Sequence, residues 1–164
     1  MTSAAPVTEL PVYRATIEPD WIDYNGHLRD AYYGLVASYA VDGVMDILGL
    51  DAAYRERTHC TLYTLEVDLH YLHEVKSSDD LGVISSVLDF DRKRIQVGCR
   101  FICSRVSEPA ATAELMLLHV RQGDKPSVAS FPDEVTAKLE ALKISPDALE
   151  AFGPSSRKIE LKRR

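Results

Sequence analysis

Asp23, Asn25, Gly26 and His27 put a carboxylate, an amide, a flexible backbone position and an imidazole within five residues, in the run Trp21-Ile22-Asp23-Tyr24-Asn25-Gly26-His27-Leu28. A carboxylate in such a place can serve as a general base or as a nucleophile. A long helical pattern follows directly, and the start of a helix carries unpaired N–H groups and the positive end of its dipole. Such donors can hold a developing oxyanion while Asp23, just outside the helix, attacks or deprotonates. Asp, Asn and Gly are equally the ordinary residues of turns and caps, so the run by itself also reads as a plain turn.

Few other residues compete for chemistry. His59, His70, His73 and His119 show no metal-ligand spacing, and neither do Cys60, Cys99 and Cys103. The three cysteines read as buried free thiols of a reducing compartment, which points to a soluble cytoplasmic protein. A net charge of −6 argues against nucleic acid as a partner. The apolar runs are too short to span a bilayer, and no basic-then-apolar leader opens the chain. Against this acidic background the basic run Arg92-Lys93-Arg94 stands out, as does the tail Arg157-Lys158…Lys162-Arg163-Arg164. Both are also what a charged hairpin turn and a solvated end look like.

The elements that must position these residues follow from periodicity. With 164 residues, 46% of them hydrophobic and 27% charged, the chain suits one folded domain. Residues 1–11 read as a loose arm, 12–153 as the domain and 154–164 as a basic tail. Val12–Glu18 alternates as a strand. Arg29–Leu48 is the one long helix, with Tyr32, Leu35, Val36, Tyr39, Val44, Ile47 and Leu48 as its apolar positions and Gly49 as its stop. Gly34 and Gly43, costly inside a helix, suggest a neighbour packed closely against that surface. Asp51–Arg57 reads as a short helical turn. Period-two runs then mark strands at Cys60–His73, Leu81–Phe90, Ile95–Arg105 and Ala111–Arg121, the last three joined as an antiparallel meander. A C-terminal helix spans Pro132–Leu142, and Pro146–Ala151 adds a turn.

The expected architecture is α+β, an antiparallel five-stranded sheet wrapped around a central helix with an added C-terminal helix. One sheet covered on one face leaves an edge and a face exposed, so pairing with a second copy is expected. Simple alternation puts Thr61, Tyr63, Leu65, Val67, Leu69, Tyr71 and His73 over the helix. Leu62, Thr64, Glu66, Asp68, His70 and Leu72 then fall on the other, mixed face, which separates Tyr63 from Glu66.

Four stretches, Trp21–His27, Tyr63-Thr64-Leu65-Glu66, Asp91–Arg94 and Glu114–Val120, together with the Phe131-Pro132 helix entry, resemble the hotdog-fold acyl-CoA thioesterases of the 4-hydroxybenzoyl-CoA thioesterase type. The likeness is nearer to the betainyl-CoA thioesterases of bacterial carnitine degradation, which also occur fused to carnitine dehydrogenases. This chain would be the stand-alone form.

The resemblance implies an acyl-CoA substrate, no cofactor beyond the coenzyme A carried by substrate and product, and a homodimer or dimer of dimers. It implies Asp23 as nucleophile or base, with oxyanion donors among the N–H groups of Gly26 to Leu28. Asn25 would orient the water or the carbonyl, and His27 would shape the turn or take part directly. Glu66 would polarise the water from a second subunit, or simply be solvated. A trimethylammonium acyl group calls for aromatic faces. Trp21, Tyr24, Tyr32, Tyr33, Tyr63 and Tyr71 are the candidates, with Trp21 and Tyr24 nearest Asp23 in sequence. Arg92, Lys93 and Arg94 would meet the coenzyme A phosphates, in the same or another subunit. Two readings stand beside this one: a thioesterase for another short-chain or aromatic acyl-CoA, and a non-catalytic acyl-CoA-binding hotdog subunit.

Overall fold

A computed structural model describes residues 10–152 of the chain; most of the N-terminal arm and the basic tail lie outside the described residues. One long helix, α1 (Asp30–Leu48), lies against an antiparallel sheet of β1 (Tyr13–Ala15), β2 (Cys60–Tyr71), β3 (Leu81–Phe90), β4 (Arg94–Cys103) and β5 (Ala111–Arg121). The strand order is β1-β3-β4-β5-β2, and a two-residue sixth strand, β6 (Ser127–Val128), pairs with β5. The sheet curls over a helix whose buried side meets β3, β4 and the strands beside them, which is the hotdog arrangement the sequence suggested.

Local chemistry explains the boundaries. Gly49 ends α1 in the left-handed region at φ 80°, and the N–H of Leu50 reaches back to the Met45 carbonyl at 2.9 Å, closing the last turn. Asp51 caps the short helix α2 (Ala52–Thr58) through the N–H of Tyr54 at 2.8 Å. The first strand is shorter than its alternating pattern. Ala15 already pairs with Leu81, the first residue of β3, so beyond it the ladder has no partner. Pro19–Trp21 then form a 3-10 turn instead.

The buried stripe of α1 differs from the one that bulky residues suggested. Tyr33, Val36, Ala37, Ala40, Val41, Val44, Met45 and Leu48 face the sheet, while Tyr39 is exposed and Tyr32, Leu35 and Ile47 are half-buried. Ala37 and Ala40 let the helix approach the strands closely, so small residues mark the interior side. The two helical glycines do not mark a close approach. A Cβ on Gly43 would meet open space, and one on Gly34 would only touch Leu69 at 4.0 Å.

The tight glycine is Gly98 in β4, where a Cβ would stand 2.5 Å from the ring of Phe152. That ring arrives from the C-terminal end. Helix α3 (Asp133–Leu142) buries Val135, Leu139 and Leu142. The chain then hooks along the uncovered part of β3 through the Ile144 N–H and Val87 carbonyl, and α4 (Pro146–Glu150) delivers Phe152 to the sheet face opposite α1.

A β-bulge in β2 corrects the facial assignment of that strand. The register against β5 shifts between Thr64 and Glu66, leaving Leu65 as the extra residue. Directly paired residues share a face, so Leu62, Thr64, Val67, Leu69 and Tyr71 lie with the helix-facing residues of β5. Tyr63, Glu66, Asp68 and His70 take the outer face together. The alternation that separated Tyr63 from Glu66 therefore fails at Leu65, and the two share one side.

The three cysteines are free and buried. Burial pushes the Cys99 thiol up to about 11, which makes it an inert core residue beside Ser85. No single helix among the described residues is long and apolar enough to cross a membrane.

Candidate active site

The Asp23 run is a closed turn. The Asp23 N–H donates to the His27 carbonyl at 2.8 Å, and the Gly26 N–H donates back to the Asp23 carbonyl at 3.0 Å. Gly26 sits at φ 81°, a conformation costly to a side chain, which accounts for glycine there. The turn is tied to the segment after β2 by a bridge between His27 and Lys76 and by the Leu28 N–H on the Val75 carbonyl at 2.7 Å. Val75 is wholly buried, so the site turn hangs on a core anchor.

Within this turn one oxygen of the Asp23 carboxylate is committed and the other is not. Oδ1 accepts the N–H groups of Asn25 at 2.8 Å and His27 at 3.1 Å. Oδ2 has no partner among the described residues. Hydrogen bonding from the His27 amide, aided by that of Asn25 and the nearby charges of His27 and Arg29, holds the carboxyl below the usual aspartate range. Asp23 is thus ionised at neutral pH, with a fixed orientation and one lone oxygen available.

That carboxylate lines a cleft of about 690 Å³ with Tyr24, His27, Asp30, Tyr33, Tyr71 and Glu74. Tyr33 is buried and Tyr71 half-exposed, and their rings meet edge to face at 5.2 Å. Burial pushes the Tyr33 phenol up to about 12, so it stays protonated and acts as a neutral wall rather than an acid or base. The Tyr71 hydroxyl donates to the Asp30 carbonyl at 3.3 Å, joining the end of β2 to the start of α1.

The expected oxyanion donors are already spent. The N–H groups of Gly26, His27 and Leu28 bond to the Asp23 carbonyl, Asp23 Oδ1 and the Val75 carbonyl, and that of Arg29 bonds to the Trp21 carbonyl. The helix begins at Asp30 rather than at the turn. From Asn25 onward, the Asp30 N–H, which no preceding helical residue can engage, is the first backbone donor without a partner among the described residues.

The remaining candidates divide by place. Asn25 and Gly26 build the turn without lining the cleft, and Tyr24 is 93% exposed at its tip. Trp21 stacks on Tyr32 at 5.0 Å and 15° instead of lining the cleft, so Trp21 and Tyr24 form no cage within this chain. Tyr63 and Glu66 lie on the outer face of β2. The turn bearing Arg92, Lys93 and Arg94 is at the opposite end of β4. The 10 residues of that strand put roughly 30 Å between the turn and the cleft, at about 3.3 Å per residue. Arg94 there bonds Asp91 through Nε at 2.8 Å. Asp30, Glu74 and Arg105 reach the cleft without any signal in the sequence, since each depends on chain pairings between distant segments.

Comparison with known proteins sets this geometry in a family. The profile of the thioesterase-like superfamily matches residues 17–139. A betainyl-CoA thioesterase of Pseudomonas aeruginosa is 44% identical over 133 residues, covering 81% of this chain and 83% of that protein. A crystal structure from Pseudomonas putida KT2440, assigned as a thioesterase, superposes with a TM-score of 0.73 at 37% identity, over 98% of this chain and 100% of that one. A Staphylococcus aureus protein solved in complex with CoA gives a TM-score of 0.75 at 25% identity, over 97% of this chain and 99% of that one.

Proposed function

Since this chain belongs to the thioesterase-like superfamily and is a thioester hydrolase, we propose that the thioester it cleaves is betainyl-CoA, released as glycine betaine and free coenzyme A in carnitine degradation. One observation carries the reading: a cleft that joins an ionised carboxylate with one free oxygen to a pair of aromatic rings. Asp23 Oδ2 supplies the electron pair, either to the thioester carbonyl carbon or to a proton of the attacking water. In the first case an acyl-aspartyl anhydride forms and water then cleaves it; in the second, water adds directly. Either way the carbonyl oxygen becomes an oxyanion, held by the Asp30 N–H at the positive end of α1. Collapse expels the coenzyme A thiolate, which takes the proton Asp23 removed from water in the second case, or one from solvent in the first.

The acyl group supports the choice of substrate. Betaine carries its quaternary ammonium one carbon from the carbonyl, so the cation lies beside the group that attacks. Tyr33 and Tyr71 offer π faces to such a cation, and the ionised Asp23 carboxylate beside them favours it.

Assembly through β2 is supported by that strand, which among the described residues is paired on one side only and exposes Tyr63, Leu65 and Val67. A second copy pairing along that edge would cover them, giving at least a homodimer. In that assembly Tyr63 and Glu66 are candidates for the partner's contribution to the acyl site. Arg92, Lys93 and Arg94 are candidates for its contact with the coenzyme A phosphates.

The test is thiol release from betainyl-CoA beside acetyl-, butyryl- and 4-hydroxybenzoyl-CoA. Preference for betainyl-CoA supports the proposal. Preference for an aromatic or plain aliphatic acyl group keeps the hydrolase and discards the cation, and failure to turn over any of them favours an acyl-CoA-binding subunit.

A further inference from the structure

We propose that Glu74 is a positioning residue for Asp23, acting through the His27 ring; the inference rests on Asp23 being the reacting carboxylate. His27 holds the Asp23 turn by both its backbone N–H and its backbone C=O. Its N–H bonds Asp23 Oδ1, and its carbonyl takes the Asp23 N–H. Any rotation of the His27 backbone therefore turns the carboxylate. The ring of the same residue is tethered, with Nε2 standing 3.1 Å from Glu74 Oε2.

Glu74 is a suitable anchor because its own backbone is immobilised. The Arg105 guanidinium donates to the Glu74 carbonyl and also binds Asp79 at 3.2 Å. The next residue, Val75, is fully buried and accepts the Leu28 N–H. Lys76 pairs with His27 itself. A rigid segment thus grips the turn through backbone on one side and through a charge-assisted side-chain bond on the other.

Magnitude separates positioning from general stability. The two side chains are 28% and 62% exposed, and exposed ion pairs add little to folding. A carboxylate displaced by a fraction of an ångström, in contrast, loses rate steeply.

The test is steady-state kinetics of Glu74→Ala and Glu74→Gln beside Asp23→Asn, with betainyl-CoA and the best substrate of the acyl-CoA panel. Glu74→Ala is expected to lower kcat by about 10- to 100-fold with KM within about twofold. Its melting temperature should stay within about 3 °C of the parent. Glu74→Gln keeps an oxygen that accepts from the imidazole N–H, so kcat should recover to within about threefold of the parent. A rise in KM at unchanged kcat would overturn the inference in favour of substrate binding by Glu74. Loss in Gln as deep as in Ala would overturn it in favour of charge alone. Parental kcat in Glu74→Ala with an inactive Asp23→Asn would overturn the inference and leave the proposed function standing. An active Asp23→Asn would overturn both.

Discussion

Replacing Asp23 with Asn removes one thing and leaves the rest in place. The Asn oxygen can take the position of Oδ1 and go on accepting the Asn25 and His27 amides, so the turn keeps both of its internal bonds. The oxygen at Oδ2 becomes an NH₂ group, which neither attacks a thioester nor accepts a proton. Loss of a positioned base or nucleophile costs about 10²- to 10⁴-fold in rate. The pH profile of the parent sharpens the test. The folded carboxyl lies below the ordinary aspartate value of about 3.9, so at pH 7 the ionised form exceeds the protonated one by at least about 1000 to 1. The sign follows: whatever this carboxylate contributes is present above its ordinary value and lost as pH falls through the depressed one. From Asp23, kcat/KM should therefore be flat between about pH 5 and 7, with its acid limb below about pH 4. The assay is thiol release across that range, with coenzyme A binding by calorimetry and thermal melting as controls. Asp23→Asn should bind coenzyme A and melt like the parent while turnover falls at least about 100-fold. Turnover above about a tenth of the parent in a folded Asp23→Asn would refute the assignment of Asp23.

Other predictions concern the frame around the site. The Ala129 carbonyl can only accept from His119 Nδ1, so Nε2 of the neutral ring accepts from the Tyr54 hydroxyl at 2.9 Å. Tyr54→Phe strands that buried nitrogen and should cost about 1–3 kcal/mol in urea unfolding. Burial holds His119 below its ordinary value, so below about pH 6.5 the unfolded chain takes up a proton that the folded one refuses. Stability should fall there as pH drops, until the depressed folded value is passed, and His119→Gln should flatten that slope. Gly98→Ala forces a methyl group against Phe152 and should cost about 1–3 kcal/mol. Added to Phe152→Ala it should cost less than it does in the parent, because only the contact with Leu88 Cδ2 at 2.9 Å then remains; double-mutant melting curves read this directly.

Most of the frame was legible because its signals are local. The strands Leu81–Phe90 and Ala111–Arg121 coincide with their period-two runs, and Gly49 and Asp51 mark one helix end and the next helix start. What escaped reading depends on contacts. Leu65 looks like any apolar strand residue, yet as the bulged residue it puts Leu62 and Thr64, rather than Tyr63, on the helix side, while the residues after it face as their alternation suggests. Ala37 and Ala40 carry weak hydropathy but mark the buried side of α1. That Asp23 stands in a turn just before α1 was legible from residue type and place, whereas the occupation of the Gly26 to Leu28 amides was not. Their acceptors include the carbonyl of Val75, which only folding brings beside them. Glu74 was invisible for the same reason.

The most direct test of a cation-binding thioesterase compares betainyl-CoA with 3,3-dimethylbutyryl-CoA, in which a carbon replaces the quaternary nitrogen and the acyl group keeps its shape. A desolvated cation–π contact is worth about 2 kcal/mol, so kcat/KM should fall at least about tenfold for the neutral analogue. Equal kcat/KM for the two would show that the cleft around Asp23, Tyr33 and Tyr71 reads shape alone, and would contradict the proposed substrate.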